Sequence, residues 1–139
     1  MKILSLIITL ILSTTLSFAQ TEKGQDVTVT IENISNERGH VIIGLHTNGT
    51  FMKTEALQQA AAKVKDGKVV YTFKNVAPGN YALLALHDEN DNKRMDFEPN
   101  GMPMESFGIS NNPMLMGPPT FSEGKFEVGK ENIELTIKF

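Results

Sequence analysis

From Asp26 to Asn33 apolar and polar residues alternate strictly, with Val27, Val29 and Ile31 on one face and Thr28, Thr30 and Glu32 on the other. Period two marks a strand with one wet face. Ser35, Asn36 and Gly39 supply turn chemistry, and Val41, Ile43 and Leu45 then resume an inward face opposite His40, Ile42, Gly44 and His46. These two segments read as an antiparallel hairpin. Asn48-Gly49 ends the second strand, and the period changes between Phe51 and Val64. Ala56, Leu57, Ala60, Ala61 and Val64 recur at three and four, with Thr54 available as a cap. Alanine is the best helix former, so this spacing predicts one short amphipathic helix laid on the sheet.

Asp66-Gly67 reads as a turn, after which Val69, Tyr71 and Phe73 alternate as another strand. Ala77-Pro78-Gly79-Asn80 carries turn chemistry at each position. Tyr81 to Leu86 is apolar on both faces, as expected of a central strand covered on both sides. Phe126 with Val128, then Ile133, Leu135, Ile137 and Phe139, predict two last strands around Gly129-Lys130. Between Asp88 and Glu123 there is no comparable strand signal, and connections that long are uncommon. Phe97, Phe107, Ile109, Leu115 and Phe121 are too apolar for a solvated tail, so an ordered excursion at one end of the sheets is expected. The whole pattern predicts an all-β protein: at least six strands in two antiparallel sheets, a β-sandwich with one short helix.

The N-terminus bears on compartment. Lys2 precedes an apolar run from Ile3 to Leu12, and Ser17-Phe18-Ala19 offers a small-x-small cleavage site. Residues 1–19 read as a secretory signal peptide and residues 20–139 as a single β-sandwich domain. Ser13, Thr14 and Thr15 cut the apolar run too short for a membrane anchor, which needs about 20 apolar residues, so no membrane span is expected after cleavage. The expected location is the periplasm or the extracellular surface. The chain has no cysteine, so this fold must stand on packing, or on a metal, without disulfides. A chain of this size can bury roughly two-thirds of its surface. The formal net charge is −3, with no basic run and no interleaving of aromatic and basic residues, which excludes the footprint of nucleic-acid binding.

The richest chemistry lies in the stretch from Asp88 to Asp96. Asp88, Asn90, Asn92 and Asp96 place oxygen-bearing side chains at positions one, three, five and nine of a loop, and the Arg94 carbonyl would fall at position seven. Calcium takes about six to eight oxygens from a chain that curls around it, so these five residues form a candidate calcium loop. Lys93 stands where glycine normally takes the sharp turn, and Pro99 where an EF-hand is closed by a bidentate Glu. The match is thus to a shorter Asp-x-Asn-x-Asn loop, completed by Glu98 or Glu105, and not to an EF-hand. The competing reading is a plain solvated turn, since Asn and Asp favour turns for their own reasons.

Met95, Met102, Met104, Met114 and Met116 also fall in the excursion, and thioethers suit Cu(I), although methionine equally fills irregular packing. His40, His46 and His87 are not spaced as ligands on one element, and His87 beside Asp88 reads as a supporting or surface group. Gly108-Ile109-Ser110-Asn111-Asn112 is not a nucleophile elbow, and no glycine-rich phosphate loop is present. The carboxylates near Asp88 read as wet and mutually repulsive, unlike a hydrolytic acid–base pair.

Several motifs occur in a fixed order: Pro78-Gly79-Asn80-Tyr81-Ala82; His87 to Asn92 with Asp96; Gly101-Met102-Pro103 with Glu105, Gly108, Ser110 and Asn111; and Gly117-Pro118-Pro119-Thr120-Phe121. In that order they resemble a family of exported bacterial proteins, the domain of unknown function numbered 2141. The resemblance implies an immunoglobulin- or transthyretin-like sandwich and carries no established activity. The family's acidic loop usually holds a turn former where this chain has Lys93, so Lys93 is expected in a left-handed conformation, at a cost of about 1 kcal/mol. The function expected is an exported, non-enzymatic binding or interaction module, calcium-stabilised, for a protein or small-molecule ligand of unknown identity. The alternative is a periplasmic copper carrier or small hydrolytic enzyme using residues 88–121.

Overall fold

A computed structural model describes residues 23–139, and the signal segment lies outside the described residues. In chain order the elements are β1 (Gln25–Glu32), β2 (His40–His46), β3 (Gln58–Ala62), β4 (Val69–Val76), β5 (Gly79–Asp88), β6 (Phe107–Ile109), α1 (Phe121–Gly124), β7 (Phe126–Val128) and β8 (Ile133–Lys138). They build two sheets: one has the order β4-β1-β8, the other β3-β2-β5-β6 with β7 also pairing β5. The protein is an all-β sandwich, as its alternation predicts.

The core lies between the sheets. Val27, Val29 and Ile31 of β1 and Phe73 of β4 meet Val41, Ile43 and Leu45 of β2 and Leu83 and Ala85 of β5, all fully or almost fully buried. Each of these strands puts alternate residues inward, which is why period two was legible. β5 is central: β2 runs along one side from His46↔Ala82 to His40↔Asp88, while β7 and β6 divide the other. Its second face is covered too, because Ala82 belongs to a smaller buried cluster with Phe51 and Ile109, flanked by Leu84, Leu115 and Phe121. That cluster explains the two-faced apolar character of Tyr81 to Leu86.

Three expectations need correction. β1 and β2 are not a hairpin. β1 pairs β4 antiparallel and β8 in parallel, whereas β2 lies in the other sheet between β3 and β5. Alternation reveals which face of a strand is buried but not which strand lies beside it, and two strands facing each other across a core show the same pattern as two neighbours. The β1–β8 pair also departs from purely antiparallel sheets.

The segment from Phe51 to Val64 is not a helix. A turn after Thr47 is followed by a run whose exposure alternates from Glu55 to Lys65 and which contains β3. Its small residues satisfy both periods, and five cross-strand pairs with β2, from Val41↔Ala62 to Leu45↔Gln58, decide between them. The one described helix is α1, a four-residue turn inside the excursion, where the Glu123 carboxylate accepts hydrogen bonds from the Thr120 N–H at 2.8 Å and its hydroxyl at 2.7 Å.

The excursion is ordered, as its apolar residues require. Ser110 is fully buried; its hydroxyl donates to the Gly124 carbonyl and accepts from Leu83 N–H at 3.0 Å. The Asn112 side chain donates to the Thr136 carbonyl and accepts from Lys138 N–H, both at 2.8 Å, and so ties the excursion to β8.

Candidate functional site

The loop begins at the last residue of β5. Asp88 is 1% exposed, and its two carboxylate oxygens accept main-chain N–H groups from Asn92 at 3.1 Å and Lys93 at 2.7 Å. These bonds curl the chain back on itself. The curl requires left-handed backbone at Asp91 (φ 58°) and Lys93 (φ 63°), so Lys93 takes the conformation that its position demands. Asn90 and Asn92 each accept a main-chain N–H two residues on, from Asn92 at 3.1 Å and Arg94 at 3.0 Å. These are Asx turns, the local chemistry that makes Asn a turn residue.

The side chains of Asn90, Asn92 and Asp96 meet at one point. Both carboxamide nitrogens donate to the same oxygen, Asp96 Oδ2, each at 2.7 Å. Asp88 faces the same loop through its bonds to Asn92 and Lys93. The Arg94 side chain lies beside the outer Asp96 oxygen at 3.7 Å.

Residues distant in sequence complete the arrangement. Glu105 is 8% exposed and bridges the loop's two ends: Oε1 accepts Glu89 N–H at 3.1 Å and Oε2 accepts Asp96 N–H at 3.2 Å. Arg38 pairs with Glu89, and His40 Nδ1 lies 2.6 Å from Asp91 Oδ1. Two of the loop's acidic groups are therefore answered by residues just before and at the start of β2, a compensation invisible in the linear charge pattern. Close approach of that segment depends on Gly39, whose φ is +62° and where an added Cβ would sit 1.9 Å from the Asp88 carbonyl oxygen.

Two further readings change. The carboxyls of Asp88 and Glu105 are not wet but buried and engaged by backbone N–H groups. His87 is not a surface group; it is fully buried, Nε2–H donates to the Arg38 carbonyl at 2.8 Å, and Nδ1 has no hydrogen-bond partner. Among the described residues no three His, Cys, Asp or Glu side chains are placed to hold a metal ion. The loop's donor set would instead be mixed, with two carboxylates and two carboxamides. Of the methionines, Met102, Met104, Met114 and Met116 are 60–94% exposed, so they do not serve as filler.

Protonation shifts arise elsewhere and have local causes. The hydrogen bond from Lys74 holds the Asp26 carboxyl below its usual value, the bonds from Thr120 do the same for Glu123, and burial lowers the imidazole of His46. Two open grooves, of about 430 Å³ beside Glu127 and Gly129 and about 510 Å³ beside Ala62 and Val69, are lined by none of the loop residues.

A two-sheet, all-β scaffold carrying one tightly bonded acidic loop at the end of its central strand defines the general class. More narrowly, residues 29–136 match the family described as an uncharacterized protein conserved in bacteria (DUF2141), and the chain belongs to that family. No curated protein and no solved structure matches the chain. Among the described residues no helix is long and apolar enough to cross a membrane.

Proposed function

We propose that the protein is exported by its N-terminal signal segment and that residues 20–139 act as one non-enzymatic binding module for a protein or small-molecule ligand, stabilised by calcium at the loop Asp88–Asp96. The observation that carries this reading is the convergence of Asn90 and Asn92 on Asp96 Oδ2 inside a curl fixed by the Asp88 carboxylate. Turning each carboxamide over would give up its Asx-turn bond and present an oxygen in place of the nitrogen, and with Asp88, Asp96 and the Arg94 carbonyl these make a hard-oxygen donor set suited to calcium, water filling the remaining positions. Bound calcium would supply charge neutralisation and rigidity to the loop. The non-enzymatic reading is supported by the state of the two buried carboxylates: all four oxygens of Asp88 and Glu105 accept main-chain N–H groups, which suits them to holding backbone and leaves them poorly placed to transfer protons.

An incomplete protein donor set implies a dissociation constant on the order of 10⁻⁴–10⁻³ M, as in extracellular calcium modules. At about 10 mM calcium and the weaker end of that range, linkage gives roughly 1.4 kcal/mol of stabilisation. For a domain of this size that is a rise in melting midpoint of about 5 °C. The experiment melts the chain from Gln20 onward in EDTA and then in excess CaCl₂, beside Asp96→Ala. The rise should be present in the parent and absent in the variant. An unchanged midpoint in the parent, or an equal rise in both proteins, would sink the calcium reading.

A further inference from the structure

The excursion's exposed methionines are too open to solvent to fill packing, with Met102 at 62% and Met104 at 60%. Leucine at these positions would expose the same kind of apolar surface. What methionine adds is a thioether sulfur, a soft ligand on a flexible stem.

Met102 and Met104 are also held in a fixed relation. Residues 96–104 fold back on themselves as a small hairpin. Glu98 N–H donates to the Met102 carbonyl and Met104 N–H to the Asp96 carbonyl, both at 2.8 Å, and Phe97 pairs with Pro103 between these bonds. Met102 and Met104 therefore bracket Pro103, and both keep the register of the pairing. Two residues apart on extended backbone, their side chains leave by the same face. Pro103 stands where an N–H would point away from the paired chain, so the pairing loses no bond and φ is fixed there. At the turn, Asn100 Oδ1 accepts Met102 N–H at 3.0 Å and Gly101 N–H donates to the Glu98 carbonyl at 2.8 Å, with Gly101 at φ +84°. The base of the hairpin is tied down by Glu105, which follows Met104 and accepts Asp96 N–H.

Strand rise puts the two methionine Cα atoms about 6–7 Å apart. Each sulfur sits on an unbranched stem with three rotatable bonds, so both can close on one ion between them while the backbone stays still. The register places Glu98 opposite Met102 and Asp96 opposite Met104, so negative charge lies beside two neutral ligands. Such a setting attracts a cation, and the sulfurs select a soft one. We propose that Met102 and Met104 form a bidentate thioether site for copper(I). The proposal does not rest on calcium at the neighbouring loop, whose donors are oxygens. Met114 and Met116 have the same spacing and stand 88% and 94% exposed, but their segment has no strand pairing. They offer the same ligands without the preorganisation, which costs affinity.

Silver(I) nitrate in chloride-free buffer is the probe, because it shares the charge, filled d shell and thioether preference of copper(I) and keeps its oxidation state in air. Titrated into the chain from Gln20 onward, carrying ¹³C-labelled methionine methyl groups, it should shift the Met102 and Met104 signals together and saturably, ahead of those of Met114 and Met116. Copper(I), kept reduced by ascorbate without oxygen, should move the same two signals. Met104→Leu keeps the apolar surface and removes one sulfur. It should weaken the response at Met102 by about a hundredfold or more, the gain that a second ligand on the same short chain supplies, and Met102→Leu should do the same at Met104. Both positions are exposed, so the fold should persist, which unchanged signals elsewhere in the spectrum check. The proposal is overturned if Met102 and Met104 shift no earlier than Met114 and Met116, if either leucine variant responds like the parent, or if copper(I) leaves the silver-responsive signals in place.

Discussion

Asp88→Asn isolates the carboxylate that shapes the loop. The substitution keeps volume and one acceptor oxygen but turns the other oxygen into an NH₂ group, aimed at the main-chain N–H of either Asn92 or Lys93. At 1% exposure no water can readily relieve that donor–donor contact. A hydrogen bond to a charged group contributes about 1.5–3 kcal/mol, and leaving a buried donor unmet costs about 1–3 kcal/mol. These two descriptions overlap, so the expected loss is about 2–3 kcal/mol rather than their sum. Asp88→Ala, which loses both acceptors, should cost at least as much. The assay is urea unfolding in EDTA, so that no cation contributes to either protein. The midpoint should fall with the slope unchanged, since the surface exposed on unfolding is the same. Hydrogen exchange should quicken first at Asn92 and Lys93. A loss below about 0.5 kcal/mol, within the range of an ordinary surface change, would refute the view that this carboxylate organises the loop.

Ser110→Ala removes a buried hydroxyl that joins Leu83 of β5 to Gly124 of α1; a loss of about 1–3 kcal/mol is expected, with faster exchange at Leu83 N–H, and unaltered exchange there would contradict the assignment. His46 lies edge-on to Phe51 at 5.7 Å, and burial lowers its folded-state affinity for a proton. The unfolded chain then binds more protons, so this contribution to stability is complete above about pH 6.5 and is lost as pH falls below it. Melting at about pH 7.5 and about pH 5.5 should show a smaller acid loss in His46→Gln than in the parent; equal losses would remove His46 as the cause.

What could be read from the sequence follows from how each residue is buried. β1, β2, β4 and β8 each hide one face, so alternation exposed them, whereas the second cluster around Phe51 and Ile109 covers the other face of β5 and made it readable as central. β3 misled because Ala60 and Ala61, with Val64 beyond them, fit a helical period while Ala60, Ala62 and Val64 fit an alternating one, and its pairing with β2 is a tertiary fact. β6 and α1, three and four residues long, are too short for any period to register. In the loop, composition revealed the turn-forming oxygens, and the resemblance to the family implied the left-handed conformation that Lys93 takes. It could not reveal that Glu105 reaches back 16 residues to Glu89, or that Arg38 and His40 answer acidic groups 51 residues away. Those contacts exist because β2 lies beside β5 and Gly39 permits the approach.

The central claim is that Asn90, Asn92 and Asp96 converge to hold a cation. In the structure both carboxamide NH₂ groups are committed to Asp96 Oδ2. Binding would release them, because Asp96 and the carboxamide oxygens would turn to the ion. The direct measurement is a ¹H–¹⁵N spectrum of the metal-free protein titrated with CaCl₂, following the side-chain NH₂ signals of Asn90 and Asn92 and the Lys93 amide. Saturable shifts at all three, at calcium concentrations on the order of 10⁻⁴–10⁻³ M and absent in Asp96→Ala, are the predicted result. Signals that stay in place through about 10 mM calcium, or that drift without saturating, would contradict it.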